Sequence, residues 1–99
     1  EYEDIQIDTE KHEVTVKGQL LDLTRKEYEL LLYFLVNKNR VLTKQSIAEH
    51  LWGDYIDALD SFDFVYQHIK NVRKKITQAG GKDLIQTMYG SGYKFATVP

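Results

Sequence analysis

Apolar positions along the chain change their period twice, and each change marks a new kind of element. Near the start, Ile5, Ile7, Val14 and Val16 alternate with polar residues on either side of the polar stretch 8–13. Gly18 then marks a second reversal before Leu20, Leu21 and Leu23. Alternation with period two, interrupted by turn residues, predicts a small antiparallel sheet within residues 1–23. From Thr24 the spacing becomes helical. Thr24 followed by Glu27 is a capping-box pair, and Tyr28, Leu31, Leu32 and Leu35 then recur at intervals that place them on one face. The polar run 37–40 ends this first helix. Thr43 caps a shorter second helix carrying Ile47, Ala48 and Leu51 inward, which closes near Trp52 and Gly53.

The clearest pattern lies further on. Phe62, Val65, Ile69, Val72 and Ile76 form an apolar seam spaced by three and four, which predicts a long helix over about 61–78. Gly80 and Gly81 terminate it. Residues 84–89 and 93–97 then flank Gly90, Ser91 and Gly92, predicting a β-hairpin over 84–97. An N-terminal sheet, three helices within 24–78 and a terminal hairpin make an α+β domain with the layout of a winged helix-turn-helix. In that layout the long helix enters the DNA major groove and the hairpin, or wing, lies on adjacent backbone or in the minor groove.

Charge sharpens the picture. The net charge of −2 over 99 residues argues against coating nucleic acid by bulk positive charge. Between Phe64 and Lys82, however, there are five Lys or Arg and no Asp or Glu, so the positive charge is local. Acids gather elsewhere, at residues 1–10 and at Asp54, Asp57, Asp60 and Asp63. Opposite the seam, Gln67, Lys70, Asn71 and Lys74 project together. The amides of Gln67 and Asn71 have the geometry to pair with adenine, while Lys70 and Lys74 reach guanine O6 and N7 or a phosphate. These four are the candidate base readers. Arg73 lies beside the seam and suits either a phosphate or an intramolecular partner, and Lys75 is assigned to the DNA backbone. In the hairpin, the hydroxyls of Thr87 and Tyr93 and the charge of Lys94 are candidate phosphate contacts, set against ordinary strand composition.

Other functions find little footing. With no cysteine there is neither a disulfide framework nor a thiolate zinc site, which fits a reducing cytoplasm. His12 and His50 stand apart in sequence, so no metal site and no cofactor is assigned. The Gly90–Ser91–Gly92 turn lacks the helix and lysine of a nucleotide loop. No catalytic constellation can be assembled, and an enzyme is not expected. No apolar run reaches the length of a membrane span, and no membrane partner is expected. The chain starts at Glu1 rather than a methionine, which leads us to expect a piece of a longer polypeptide.

Three stretches in register, LDLTRKEYELLLYFLVNKNRVLTKQSIAEHLWG, HIKNVRKKI and IQTMYGSGYKF, resemble the OmpR/PhoB-type effector domain of two-component response regulators. The resemblance covers nearly the whole chain. It implies a four-stranded N-terminal sheet, three helices and a C-terminal hairpin. It also implies an upstream receiver domain and head-to-tail homodimers on tandem half-sites of double-stranded DNA, controlling transcription. The same resemblance implies backbone contact for His68, whose alternative is helix packing, and RNA polymerase contact for the loop carrying Asp54, Asp57 and Asp60, whose alternative is a solvated loop. Trp52 has core packing or phosphate contact open to it. Two positions depart from the family pattern: Asp63 and Tyr89 stand where an Arg is common. Asp63 can favour its helix N-terminus or accept from a cytosine amino group, and Tyr89 can donate to a phosphate or pack on a sugar. A different class of function, a winged-helix protein-interaction module without specific DNA binding, is compatible with those two departures.

Overall fold

The structure is a computed structural model that describes residues 4–53 and 63–96. Strands β1 (Ile5–Asp8), β2 (Glu13–Val16) and β3 (Gln19–Leu20) form the first sheet in sequential order. Ile5 faces Val16 and Ile7 faces Val14, so the alternating apolar residues line up on the core side. The β2–β3 reversal is a two-residue turn with positive φ at both Lys17 and Gly18, the left-handed pair that matches the twist of a hairpin. Three strands are found among the described residues where the resemblance implied four. Leu21 is buried after β3 but continues no strand.

Helix α1 (Arg25–Val36) opens on the capping box legible in the sequence. The Thr24 hydroxyl accepts the Glu27 amide at 3.2 Å, and the Glu27 carboxylate accepts the Thr24 amide at 3.0 Å. Two otherwise orphaned donors are thereby satisfied. Strand β4 (Val41–Leu42) leads into α2 (Lys44–Trp52), capped by Thr43, whose hydroxyl accepts from the Ser46 amide at 3.0 Å. Helix α3 (Asp63–Gln78) buries Val65, Ile69, Val72 and Ile76 to 2% exposure or less. Burying each of these side chains contributes about 1.5–3 kcal/mol relative to leaving it in water. Phe62, read as the first residue of the seam, lies outside the described residues, as do Asp54, Asp57 and Asp60.

The end of α3 explains its two glycines. Gly80 adopts φ +91° and its amide donates to Thr77 O at 3.0 Å, while the Gly81 amide donates to Ile76 O at 2.9 Å. This nested pair is the Schellman arrangement. Gly81 is also pressed against the first sheet, since a Cβ there would lie 2.7 Å from Val16 Cγ1.

Strands β5 (Ile85–Met88) and β6 (Gly92–Phe95) make the terminal hairpin, but the sheet has a third member. Val41 and Leu42 of β4 pair with Lys94 and Tyr93, giving the order β4-β6-β5. The hairpin is therefore stitched to the segment immediately before α2. Its turn also sits one residue earlier than the glycines suggest. Met88 pairs with Gly92, so Tyr89, Gly90 and Ser91 form the loop and Gly92 already belongs to β6. The core joins both sheets and all three helices, with Leu30, Leu31, Phe34, Ile47, Ile69 and Phe95 among its buried members.

Candidate nucleic-acid interface

Gln67, Lys70, Asn71 and Lys74 are all exposed on the side of α3 opposite the buried seam. That follows from the helical period: with the seam at 65, 69, 72 and 76, these positions fall about half a turn away. Two amides and two ammonium groups are thus displayed in one row. Lys70 and Lys74 are one turn apart, so their like charges repel and favour an anionic partner.

The flanks of α3 are committed differently. On one side, Lys75 Nζ donates to Glu27 Oε1 at 2.6 Å and to the Asp22 carbonyl at 2.7 Å. Lys75, expected on the DNA backbone, is instead an internal tie between α3, the start of α1 and the chain leaving the first sheet. Glu27 is 3% exposed. Burial pushes its carboxyl up, but the hydrogen bonds from Lys75 and the Thr24 amide, with the charges of Lys75 and His68, outweigh it and hold the pKa below the usual carboxylate value.

His68 lies on the same flank. Its Nδ1 is 2.7 Å from the Phe64 carbonyl oxygen, a contact that requires Nδ1 to carry the proton. Its ring meets Trp52 edge-on at 5.0 Å, and Trp52 in turn meets Phe64 at 4.6 Å. Lys26 Nζ lies 5.6 Å from the centroid of the Trp52 ring and donates to the Leu51 carbonyl. The packing alternative for both His68 and Trp52 therefore describes their surroundings: a small aromatic joint between α2 and α3.

On the other flank, Arg73 forks onto Asp83 with Nη2 to Oδ2 at 2.7 Å and Nε to both oxygens at 3.1 Å. A bidentate guanidinium–carboxylate pair is the intramolecular alternative for Arg73. It closes α3 onto the approach to β5.

The wing separates its candidates. Tyr89, at the loop, is 95% exposed, and Thr87 is exposed on β5. Tyr93 is only 3% exposed, so its ring belongs largely to the core, while the residue also lines the cleft beside the wing. Burial and the neighbouring Tyr66 raise its pKa, against a smaller opposing pull from Arg73. Lys94 pairs with Val41 and Gln86, on the opposite face of the sheet from Tyr93, and is not gathered with the other cations.

Between α3, the N-terminus of α2 and the wing lies a cleft of about 540 Å³. Thr43, Lys44, Tyr66, Tyr89 and Tyr93 are among the residues that line it. Tyr66 and Lys44 were not singled out from sequence. Tyr66 sits one position past Val65, off the seam, and its 51% exposure is the only departure from ordinary helix composition it makes. Lys44 is a cation at a helix N-terminus, where the macrodipole disfavours it, so an incoming anion would relieve that repulsion.

Among the described residues, no group of three His, Asp or Glu side chains is placed to hold a metal, and no helix is long and apolar enough to cross a membrane. His12 stacks on Tyr28 and His50 on Tyr33, in different parts of the fold.

The fold and this surface define a winged helix-turn-helix domain. A family model described as "Transcriptional regulatory protein, C terminal" matches residues 18–95, and the chain belongs to that family. It is 37% identical over 89 residues to the response regulator ArlR of Staphylococcus haemolyticus, covering 90% of this chain and 40% of that protein. It is 32% identical over 97 residues to the transcriptional regulatory protein SrrA of Staphylococcus aureus, covering 96% of this chain and 39% of that protein. The chain thus spans about 40% of the length of these curated relatives. Among solved structures, the DNA-binding domain of the response regulator AdeR, in complex with an intercistronic region, superposes with TM-score 0.83 at 26% identity over 99% of both chains. The OmpR/PhoB homologue DrrB of Thermotoga maritima does so with TM-score 0.79 at 33% identity, over 94% of this chain and 42% of that one.

Proposed function

We propose that this domain binds double-stranded DNA in a sequence-specific manner to regulate transcription, as the C-terminal effector domain of a response regulator in the cytoplasm. The observation that carries the proposal is the exposed row Gln67, Lys70, Asn71 and Lys74 on the outward face of α3, beside the cleft that leads to the wing. In the major groove, Asn71 and Gln67 read adenine through paired donor and acceptor, and Lys70 and Lys74 take guanine O6 and N7 or the flanking phosphates. Thr87 and Tyr89 of the wing reach the adjacent backbone or minor groove, and Lys44 adds a phosphate contact. Arg73, His68 and Lys75 position α3 rather than touch DNA.

With only a handful of basic contacts to DNA, one copy binds weakly, and occupancy comes from head-to-tail homodimers on tandem half-sites, promoted by an upstream receiver domain. Residues 54–60, with three aspartates, repel DNA and suit contact with RNA polymerase. The likeness to AdeR, whose domain was solved with DNA, supports the reading.

The test is selection from a randomised duplex pool at low and moderate salt, with the parent and an Asn71→Ala/Lys74→Ala variant in parallel. Enrichment of tandem half-sites by the parent alone is the expected result. No enrichment by either protein would favour an interaction module that keeps the fold without specific DNA binding.

A further inference from the structure

We propose that Tyr66 and Tyr89 form the two jaws of an aromatic notch that takes the deoxyribose edge of one DNA strand, a proposal that rests on the DNA reading above. Tyr66 comes from the first turns of α3 and is 51% exposed; Tyr89 comes from the wing loop and is 95% exposed. Both line the same cleft, as do Met88 and the largely buried Tyr93. Two large aromatic rings exposed on one cleft offer a small apolar surface on which a sugar can pack.

Charge around the notch selects the occupant. Lys44 stands on the cleft wall at the start of α2. Lys70 follows Tyr66 by one helical turn and is exposed on the same side of α3. A backbone strand offers an apolar sugar between two phosphates, which matches rings bordered by two ammonium groups. A protein surface would need a paired acid for each of those cations around so small an apolar contact. The wing position also gives this notch its own signature. Where the resembling family commonly carries an Arg, the chain has Tyr89, so the contact changes from ionic to apolar. An apolar contact releases no counterion and adds affinity without adding salt dependence.

Binding of the domain to a duplex enriched from the random pool, measured by fluorescence anisotropy across a series of salt concentrations, tests this. Tyr66→Ala and Tyr89→Ala are each expected to weaken binding roughly tenfold at every salt concentration, leaving the slope of log affinity against log salt parallel to the parent's. Tyr89→Arg is expected to restore affinity and steepen that slope by about one phosphate contact. Tyr66→Phe, which keeps the ring, should stay within roughly twofold of the parent, and circular dichroism verifies that each variant is folded. Alanine variants that bind like the parent would overturn the notch while leaving the DNA reading intact. Self-association of the parent in sedimentation, lost in the double alanine variant while DNA binding is unchanged, would assign the notch to a second copy and overturn it equally. A parent that enriches and binds no duplex would instead overturn the DNA reading itself.

Discussion

Lys75 Nζ lies 2.6 Å from Glu27 Oε1, joining residues 48 positions apart through a carboxylate that also closes the cap of α1. One acid thus serves the first turn of one helix and the last turns of another. The pair ties α3, the helix that carries the outward row proposed to read DNA, to the start of α1, the helix it packs against.

Lys75→Met should therefore act on stability before it acts on DNA. It leaves Glu27 buried with only its capping partner, and a loss of about 1–3 kcal/mol is expected. The Lys75 side chain is 32% exposed, which keeps the figure below that of a fully buried pair. Denaturant unfolding measures it, and if Lys75 serves only this internal tie the salt slope of DNA binding should be unchanged.

The same pair predicts a pH dependence. Glu27 titrates lower in the folded than in the unfolded chain, so its contribution is fully present above the ordinary value of 4.5 and is lost as pH falls through the depressed folded value. Stability of the parent should drop on acidification below about pH 4.5 more steeply than that of Glu27→Gln, whose carboxamide does not titrate. Equal slopes in unfolding experiments across that range would remove Glu27 from the acid response.

Arg73 offers a sharper distinction between an internal and a DNA-facing cation. Asp83→Asn breaks the bidentate pair at modest cost, about 0.5–1 kcal/mol for so solvent-open a site. It frees a guanidinium on the wing side of α3. Affinity for any duplex should rise, and the salt dependence should steepen by about one contact. If Arg73 already contacted phosphate in the parent, the slope would not change.

Gly92 locks the wing to the body. It holds φ +134°, and a Cβ there would come within 2.9 Å of the Leu42 carbonyl carbon and the Thr43 Cα, both backbone atoms that cannot move aside. Gly92→Ala should destabilise the domain by about 1–3 kcal/mol and loosen the β4–β6 pairing, visible as faster amide exchange at β4. Gly90→Ala, at φ +81° with open space around it, should pay only the backbone strain and leave β4 protected.

Local rules made much of this legible. The seam of α3, the Thr24–Glu27 box, the Thr43 cap and the paired glycines all depend on residues within one turn of each other, so spacing alone exposes them. The outward row on α3 follows from the seam by the same periodicity. What escaped depends on contacts between distant segments. Val41 and Leu42 are too short a run to announce a strand, and only the wing makes them one. Lys75 looks like any cation of a basic helix until Glu27 is brought beside it, and Arg73, whose place beside the seam left an internal partner open, gains a named one only when Asp83 is folded against it. Tyr93 was legible as a strand residue, but which face of the hairpin packs inward is set by the body beneath it. Tyr66 gave no signal, because a tyrosine one position off the seam matches no template.

The most direct test of the account is the affinity of the parent and of Asn71→Ala for an enriched duplex and for its scrambled counterpart at one salt concentration. A base-reading Asn71 predicts a loss of roughly tenfold or more on the enriched duplex and little change on the scrambled one. Equal affinities of parent and variant on both duplexes, or equal losses on both, would contradict the claim that the outward face of α3 reads sequence.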